Sequence, residues 1–207
     1  MLTQLLGAHQ IAHAADLLLR GAVVAIPTDT VYGVAADAGS PAAIARLFEA
    51  KRRPLDKAIP LLLAEPDGLD LVGERIADAA RLLARRFWPG ALTIIVPRQR
   101  TRPDDLPTVA LRMPDHELAR ELIRLAGGTL AVTSANISGA PPATTAAEVV
   151  RQLDGRIAAV LDGGRCSGGV ASTIVDTSVE PPRVLRLGAV TVEALRTVVP
   201  GLATGAG

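Results

Sequence analysis

The sequence predicts an α/β fold built on one twisted sheet of mixed parallel and antiparallel strands, flanked by helices. Three observations predict it. Short runs rich in Val, Ile and Leu alternate along the chain with amphipathic stretches of helical period. Several links between those runs are too short to hold a crossover helix, which argues against a purely parallel sheet. The apolar runs also end repeatedly in small polar or cationic residues, the positions at which open α/β sheets take ligands. The chain has 207 residues, 49% hydrophobic and 21% charged, and reads as one domain over 1–207 with a core of ordinary size.

The elements follow in order. Ile11, Ala14, Ala15, Leu18 and Leu19 recur at helical spacing, and Gly21 supplies the stop. Residues 22–26 form a short buried strand, which Pro27 ends because it cannot donate to a sheet ladder, leaving 28–32 as a loop at the strand's edge. Ser40 and Pro41 start a helix with Ile44, Leu47 and Phe48 on its apolar stripe, and Pro54 ends it near 51–53. A strand at 59–63 precedes a helix over 74–87, the turn Trp88-Pro89-Gly90 and a strand at 92–96. After a polar loop at 98–107, a strand at 108–112 ends on a charge. Asp115 caps a helix that Gly127 and Gly128 stop, and a strand at 130–133 runs into the small polar loop 134–139. Thr145 and Glu148 have capping-box spacing for a helix to Leu153. Strands at 159–161, 172–175 and 184–187, a glycine-rich loop at 162–169 and a short helix at 191–198 complete the chain.

Composition excludes several classes of function. A net charge of +1 gives no general attraction to nucleic acid, so any basic site must come from local clustering. Tyr32, Phe48, Phe87 and Trp88 are the whole aromatic set, too few for a protein that stacks single-stranded bases. Cys166, the one cysteine, allows neither an intramolecular disulfide nor a thiolate-rich zinc site. No signal pattern or membrane-length apolar run is present, so a cytoplasmic protein without a membrane partner is expected. No P-loop and no dinucleotide fingerprint occurs. His9, His13 and His116 lack metal-binding spacing and read as surface residues.

What remains is a set of anion-binding chemistries. Of 22 cationic residues only Lys51 and Lys57 are lysines, and both fall in the window 51–57 beside Arg53. A compact ammonium suits phosphate, whereas a helix C-terminus attracts the same residues through its dipole, and both readings stay open. The segments 28–32, 108–112, 133–136 and 172–173 offer hydroxyls, amides and one guanidinium at strand ends, the groups that bind phosphate and carboxylate or simply make turns. Cys166 has no neighbouring histidine in sequence to activate it, and no acid–base pair stands out. Any chemistry here would work by binding and charge stabilisation.

Six ordered motifs carry a resemblance: Pro27-Thr28-Asp29-Thr30-Val31-Tyr32-Gly33, Lys51-Arg52-Arg53-Pro54, Trp88-Pro89-Gly90, Val109-Ala110-Leu111-Arg112, Ser134-Ala135-Asn136-Ile137-Ser138-Gly139 and Ser172-Thr173-Ile174-Val175-Asp176. Together they resemble the Sua5/YrdC/YwlC family, with matching spacing from about Gly21 to Gly188. The resemblance implies a YrdC-like fold with a concave basic cleft, in the short form without a separate C-terminal Sua5 domain. It implies synthesis of L-threonylcarbamoyladenylate from L-threonine, bicarbonate and ATP with release of pyrophosphate, the first step of the t6A modification of tRNA. Mg2+ would come with ATP rather than on a metal site of the protein. The product would pass to a downstream tRNA threonylcarbamoyltransferase machinery, and weak RNA binding would be compatible. Position by position, Thr30, Arg112 and Ser172 would bind L-threonine, while Lys51, Arg53, Lys57, Thr108, Ser134, Asn136 and Arg186 would bind ATP. Lys51 and Arg53 would carry the catalytic charge stabilisation.

Two departures stand out. Lys57 takes the place where many members carry Asn, and Leu62 the place where many carry His, which removes a contact on the threonine side. The alternative class is a non-catalytic protein that binds double-stranded RNA or tRNA by shape, against which the near-neutral charge counts. Carbamoyltransferases of hydrogenase maturation contain a related domain but also need cysteine-rich zinc modules, for which one cysteine leaves no room.

Overall fold

The computed structural model describes residues 2–52, 58–100 and 105–204. Its strands are β1 (Gln4–Gly7), β2 (Val24–Ile26), β3 (Gly33–Asp37), β4 (Leu61–Leu63), β5 (Leu92–Pro97), β6 (Thr108–Arg112), β7 (Thr129–Ser134), β8 (Ala159–Asp162), β9 (Thr173–Asp176), β10 (Arg183–Arg186) and β11 (Ala203–Thr204). They form one sheet in the order β1-β8-β2-β3-β7-β4-β6-β5-β9-β10-β11. The pairs β1–β8, β8–β2, β4–β6, β5–β9 and β10–β11 are parallel, and the other five are antiparallel. The expected mixed sheet is what forms. The helices are α1 (Ile11–Leu19), α2 (Pro41–Lys51), α3 (Gly68–Val72), α4 (Asp78–Phe87), α5 (Glu117–Leu125), α6 (Ala146–Leu153) and α7 (Val192–Arg196). Among the described residues no helix is long and apolar enough to cross a membrane.

The two-residue period of each strand sorts side chains between three apolar clusters. Val24 and Ile26 of β2 join Ala35, Leu130 and Leu161 in a layer beneath α1 and α5. Ala25 of β2, with Val34, Ala36 and Val160, faces the other way onto α2 and α6. Farther along the sheet, Leu61, Leu63, Leu92, Ile94, Val96, Val109 and Leu111 pack on α4 and α7. Strands covered on both faces read as continuous apolar runs, as 22–26 does. Where β4, β5, β6 and β9 pass over that third cluster, their alternate residues Leu62, Thr93, Arg112 and Ile174 line a cleft on the opposite face. A single alternation thus makes both a core and a site.

Local chemistry sets the helix ends. The Ser40 hydroxyl accepts from the Ala43 N–H at 3.2 Å, with Pro41 in the first turn, and Arg52 closes α2 in a left-handed conformation at φ 51°. The Thr145 hydroxyl accepts from Glu148 N, while the Glu148 carboxylate takes both the N–H and the hydroxyl of Thr144. The reading at 74–87 is corrected to a helix that begins at Asp78, because Arg75 sits at φ 45° and Gly73 bridges Arg98. His116, not Asp115, occupies the cap position of α5, without a side-chain cap bond.

Three strands had not been expected. β3 is made of Gly-Val-Ala-Ala-Asp, too small in side chains to signal a strand. β11 has two residues, and β1 is a four-residue edge. At the two ends of its outer edge, Thr3 N just before the strand donates to Asp154 and Gly7 N donates to Gln10.

Leu122 is wholly buried between α5 and the sheet. Leu122→Ala is expected to lower unfolding free energy by about 3 kcal/mol through lost burial and a residual cavity, measured by chemical denaturation.

Candidate functional site

The cleft encloses about 400 Å³ and draws on four of the six sequence motifs. It is lined by Thr30 from the loop after β2, Arg112 from the end of β6, Ser134 at the end of β7 and Asn136 just beyond it, Ser172 just before β9, and Arg186 at the end of β10. These are six of the ten expected site residues. Thr108 begins β6, four residues before Arg112 and hence on the same face of the pleat, but outside the lining. Arg53 and Lys57 lie outside the described residues.

Arg112 anchors the first half of the cleft. Its Nε donates to the Gly90 carbonyl at 2.9 Å, Nη1 to Thr30 Oγ1 at 3.0 Å and Nη2 to Asp29 Oδ1 at 2.5 Å. Burial pulls the pKa of Arg112 down and Asp29 pushes it back up, so the group stays a cation held by its counter-ion. A guanidinium has five N–H donors, and these three bonds leave two for a ligand. Asp29 also accepts from Asp115 N at 3.2 Å, tying the loop after β2 to the entry of α5. Gly90 is fixed in turn: its N–H donates to the Met113 carbonyl, and the indole N–H of Trp88 donates to Leu92. The Trp88-Pro89-Gly90 motif is therefore the bracket that holds the guanidinium.

Proton counting at Thr28 and Thr30 specifies what Thr30 can offer. Thr28 Oγ1 lies 2.7 Å from the Val31 carbonyl, which can only accept, so the Thr28 hydrogen is committed there. The 3.0 Å contact between the two hydroxyls must then carry the hydrogen of Thr30. Thr30 Oγ1 already accepts from Arg112, and what it has left for a ligand is a lone pair. A guanidinium with free donors beside a free acceptor is complementary to the carboxylate and ammonium of an α-amino acid.

Lys51 meets the site through backbone carbonyls. It is absent from the lining and 1% exposed, and its Nζ donates to the carbonyls of Ser134 and, at 2.6 Å, of Asn136. The Ser138 N–H closes the same joint by donating to the Lys51 carbonyl. The ammonium holds the backbone of Ser134 and Asn136 in place. Asn136 Nδ2 donates to Ile137 and Ala140, which aims the amide, and Oδ1 is buried with no partner among the described residues.

On the far wall Arg186 Nη2 donates to the Ser172 carbonyl at 2.7 Å and to its hydroxyl at 3.2 Å. Burial lowers the pKa of Arg186, and among the described residues no carboxylate pairs with it. The glycine-rich loop packs on the first wall: a Cβ on Gly168 would lie 2.6 Å from the Asp29 carbonyl, and Gly169 N donates to the Thr30 carbonyl. Tyr32 pins the same loop through Gly163 and Gly164, and burial keeps its phenol protonated. The thiol of Cys166 is buried and pushed up in pKa, which makes it a poor nucleophile. His116 is half-buried rather than a free surface residue, and burial lowers its pKa.

Asp29, Thr28, Tyr32 and Thr93 are the site residues that sequence reasoning missed. Only the odd Thr-Asp-Thr triplet carried a signal. A second groove of about 730 Å³ shares no residue with the cleft, and of its surface cations Arg20 pairs with Asp16 while Arg46 donates to Gly21.

Comparison with known proteins follows this geometry. The family model Sua5_yciO_yrdC, described as telomere recombination, matches residues 16–188. A threonylcarbamoyl-AMP synthase of Pyrococcus abyssi is 41% identical over 190 residues, covering 90% of this chain and 56% of the relative. One from Bacillus subtilis is 43% identical over 198 residues, covering 92% and 56%. The crystal structure of P. abyssi Sua5 complexed with L-threonine superposes with a TM-score of 0.93 at 37% identity, over 99% of this chain and 63% of that one. The chain thus spans little more than half the length of these two curated relatives.

Replacing Lys51 by Met keeps the stem and removes the ammonium, leaving the Ser134 and Asn136 carbonyls without that donor. Lys51→Met is expected to lower stability by about 3 kcal/mol in denaturant titration, a loss that a solvent-facing phosphate ligand would not produce.

Proposed function

The chain belongs to the Sua5/YciO/YrdC family, and on that footing we propose that it makes L-threonylcarbamoyladenylate from L-threonine, bicarbonate and ATP, releasing pyrophosphate. The observation that carries this reading is the convergence of Thr30, Arg112, Ser134, Asn136, Ser172 and Arg186 on one cleft large enough for a small-molecule complex. A P. abyssi relative binds L-threonine on the same fold, and here the Arg112–Thr30 wall has the donors and acceptor that an α-amino acid requires. The product would enter the t6A pathway of tRNA in the cytoplasm.

The chemistry follows in balanced steps. The threonine amine attacks CO2 derived from bicarbonate, forming a C–N bond and losing a proton. A carbamate oxygen then attacks the α-phosphorus of ATP, a P–O bond forms, and the α–β bridge breaks with its electron pair on pyrophosphate. Arg112 and Thr30 would fix the amino acid so that the amine faces the nucleotide, converting an encounter of three reactants into an oriented one. The Ser134–Asn136 backbone, held by Lys51, and Arg186 would border the nucleotide. Arg53 and Lys57 retain the phosphate roles that the resemblance implies. Thr108, on the face of β6 that carries Arg112, would reach only an extended part of the nucleotide.

Mg2+ would enter this site as a companion of ATP. Among the described residues no group of three His, Cys, Asp or Glu could hold a metal, and the Asp29 carboxylate is engaged by Arg112. The neutral Oδ1 of Asn136 is the one buried side-chain oxygen in the cleft without a partner among the described residues. The ion would neutralise phosphate charge when bound.

Pyrophosphate release by the purified chain is expected to require ATP, L-threonine and bicarbonate together and to fall to background when either of the last two is omitted. Release indifferent to threonine and bicarbonate, with tight binding of double-stranded RNA, would instead establish the non-catalytic alternative.

A further inference from the structure

Thr93 has no role in any of the sequence motifs, yet it is the one side chain of β5 that lines the cleft. Leu92, Ile94 and Val96 point into the core beneath, so the pleat aims the intervening Thr93 at the ligand side. The residue is 2% exposed, and its Oγ1 lies 2.8 Å from Ser172 Oγ, itself in a residue 6% exposed. A buried hydroxyl on an otherwise apolar strand face is tolerated when it is hydrogen-bonded, and its partner here is Ser172.

We propose that Thr93 is a positioning residue for the amino-acid substrate, acting through Ser172; the proposal rests on the synthase reading above. Ser172 Oγ has one hydrogen and two lone pairs. Arg186 Nη2 donates into one lone pair at 3.2 Å. Between the two hydroxyls either oxygen can be the donor. An anionic oxygen of the substrate, carboxylate or carbamate, can only accept, and it turns the Ser172 hydrogen outward. The Thr93 hydroxyl then donates into the second lone pair, and Ser172 is held by two donors with its own hydrogen on the substrate. Valine at position 93 keeps the shape and the strand propensity but sets a methyl group against that lone pair. The serine hydroxyl would lose one of its two fixed partners, and the substrate would bear the loss.

The test is steady-state kinetics of Thr93→Val and Thr93→Ser beside the wild-type chain, with threonine and ATP varied separately. Thr93→Val is expected to raise the KM for threonine about tenfold, the worth of one hydrogen bond, with the KM for ATP within twofold of wild type. Thr93→Ser is expected to restore the wild-type KM. In a Ser172→Ala background, adding Thr93→Val should change the threonine KM less than twofold, since a residue that works through Ser172 has nothing left to position. An unchanged threonine KM in Thr93→Val overturns the proposal. So does an equal rise in both KM values without rescue by Ser, which is the signature of a merely structural role. If Thr93→Val does not fold, the same decision falls to Thr93→Ala and its combination with Ser172→Ala. A wild-type chain with no threonine-dependent pyrophosphate release would overturn the synthase reading itself, and that result is separable because it needs no variant.

Discussion

The fixed orientation of the Arg112 guanidinium is the constraint on which the site depends. A cation that is 6% exposed must find partners, and Arg112 draws them from two parts of the chain: Asp29 and Thr30 after β2, and Gly90 in the turn before β5. Removing one partner of a buried pair of this kind typically costs about 3–5 kcal/mol, because the other charge is left uncompensated. The Thr-Asp-Thr and Trp-Pro-Gly segments are therefore tied to one charge. Each holds the guanidinium against the other while leaving part of its donor fork toward the cleft.

The opposite wall is organised the same way, with a cation holding backbone in place. Lys51 gathers the carbonyls of Ser134 and Asn136 from behind, and Arg186 gathers Ser172 from the side. Neither wall relies on a carboxylate that lines the cleft among the described residues, so an anionic ligand there would meet the donors of Arg112 and Arg186. Leu62 continues the lining with Val132 and Ile174, which makes this part of the cleft apolar where a histidine would have brought a donor. The glycine-rich loop is absorbed as packing: its glycines let it lie against the Asp29–Thr30 backbone, where any Cβ at Gly168 would collide.

The sheet class and most helices were legible because burial on both faces leaves apolar runs and burial on one face leaves a 3.6-residue period. β3 was not legible, since glycine and alanines carry little strand signal and its strand character comes from pairing with β2 and β7. The break at Arg75 was hidden for a related reason, a left-handed conformation at a residue type that rarely adopts it. At the site, residues with visible chemistry at strand ends could be named in advance. Lys51 could be named as a cation but its carbonyl partners could not, because they lie 83 and 85 residues away along the chain. Thr93 was invisible, and Asp29 showed only as the centre of the Thr-Asp-Thr triplet, because their importance lies in which hydroxyl or guanidinium each one faces, a pairing across 79 and 83 residues of chain.

The central claim is that Arg112 reads the α-carboxylate of the substrate. Calorimetric titration of L-threonine and of L-threoninamide into the wild-type chain and Arg112→Gln tests it directly. The account predicts that the wild type prefers threonine by about a hundredfold, as expected for hydrogen bonds between charged groups, and that Arg112→Gln abolishes the preference. Equal affinities in the wild type, or a preference that survives in Arg112→Gln, would contradict it.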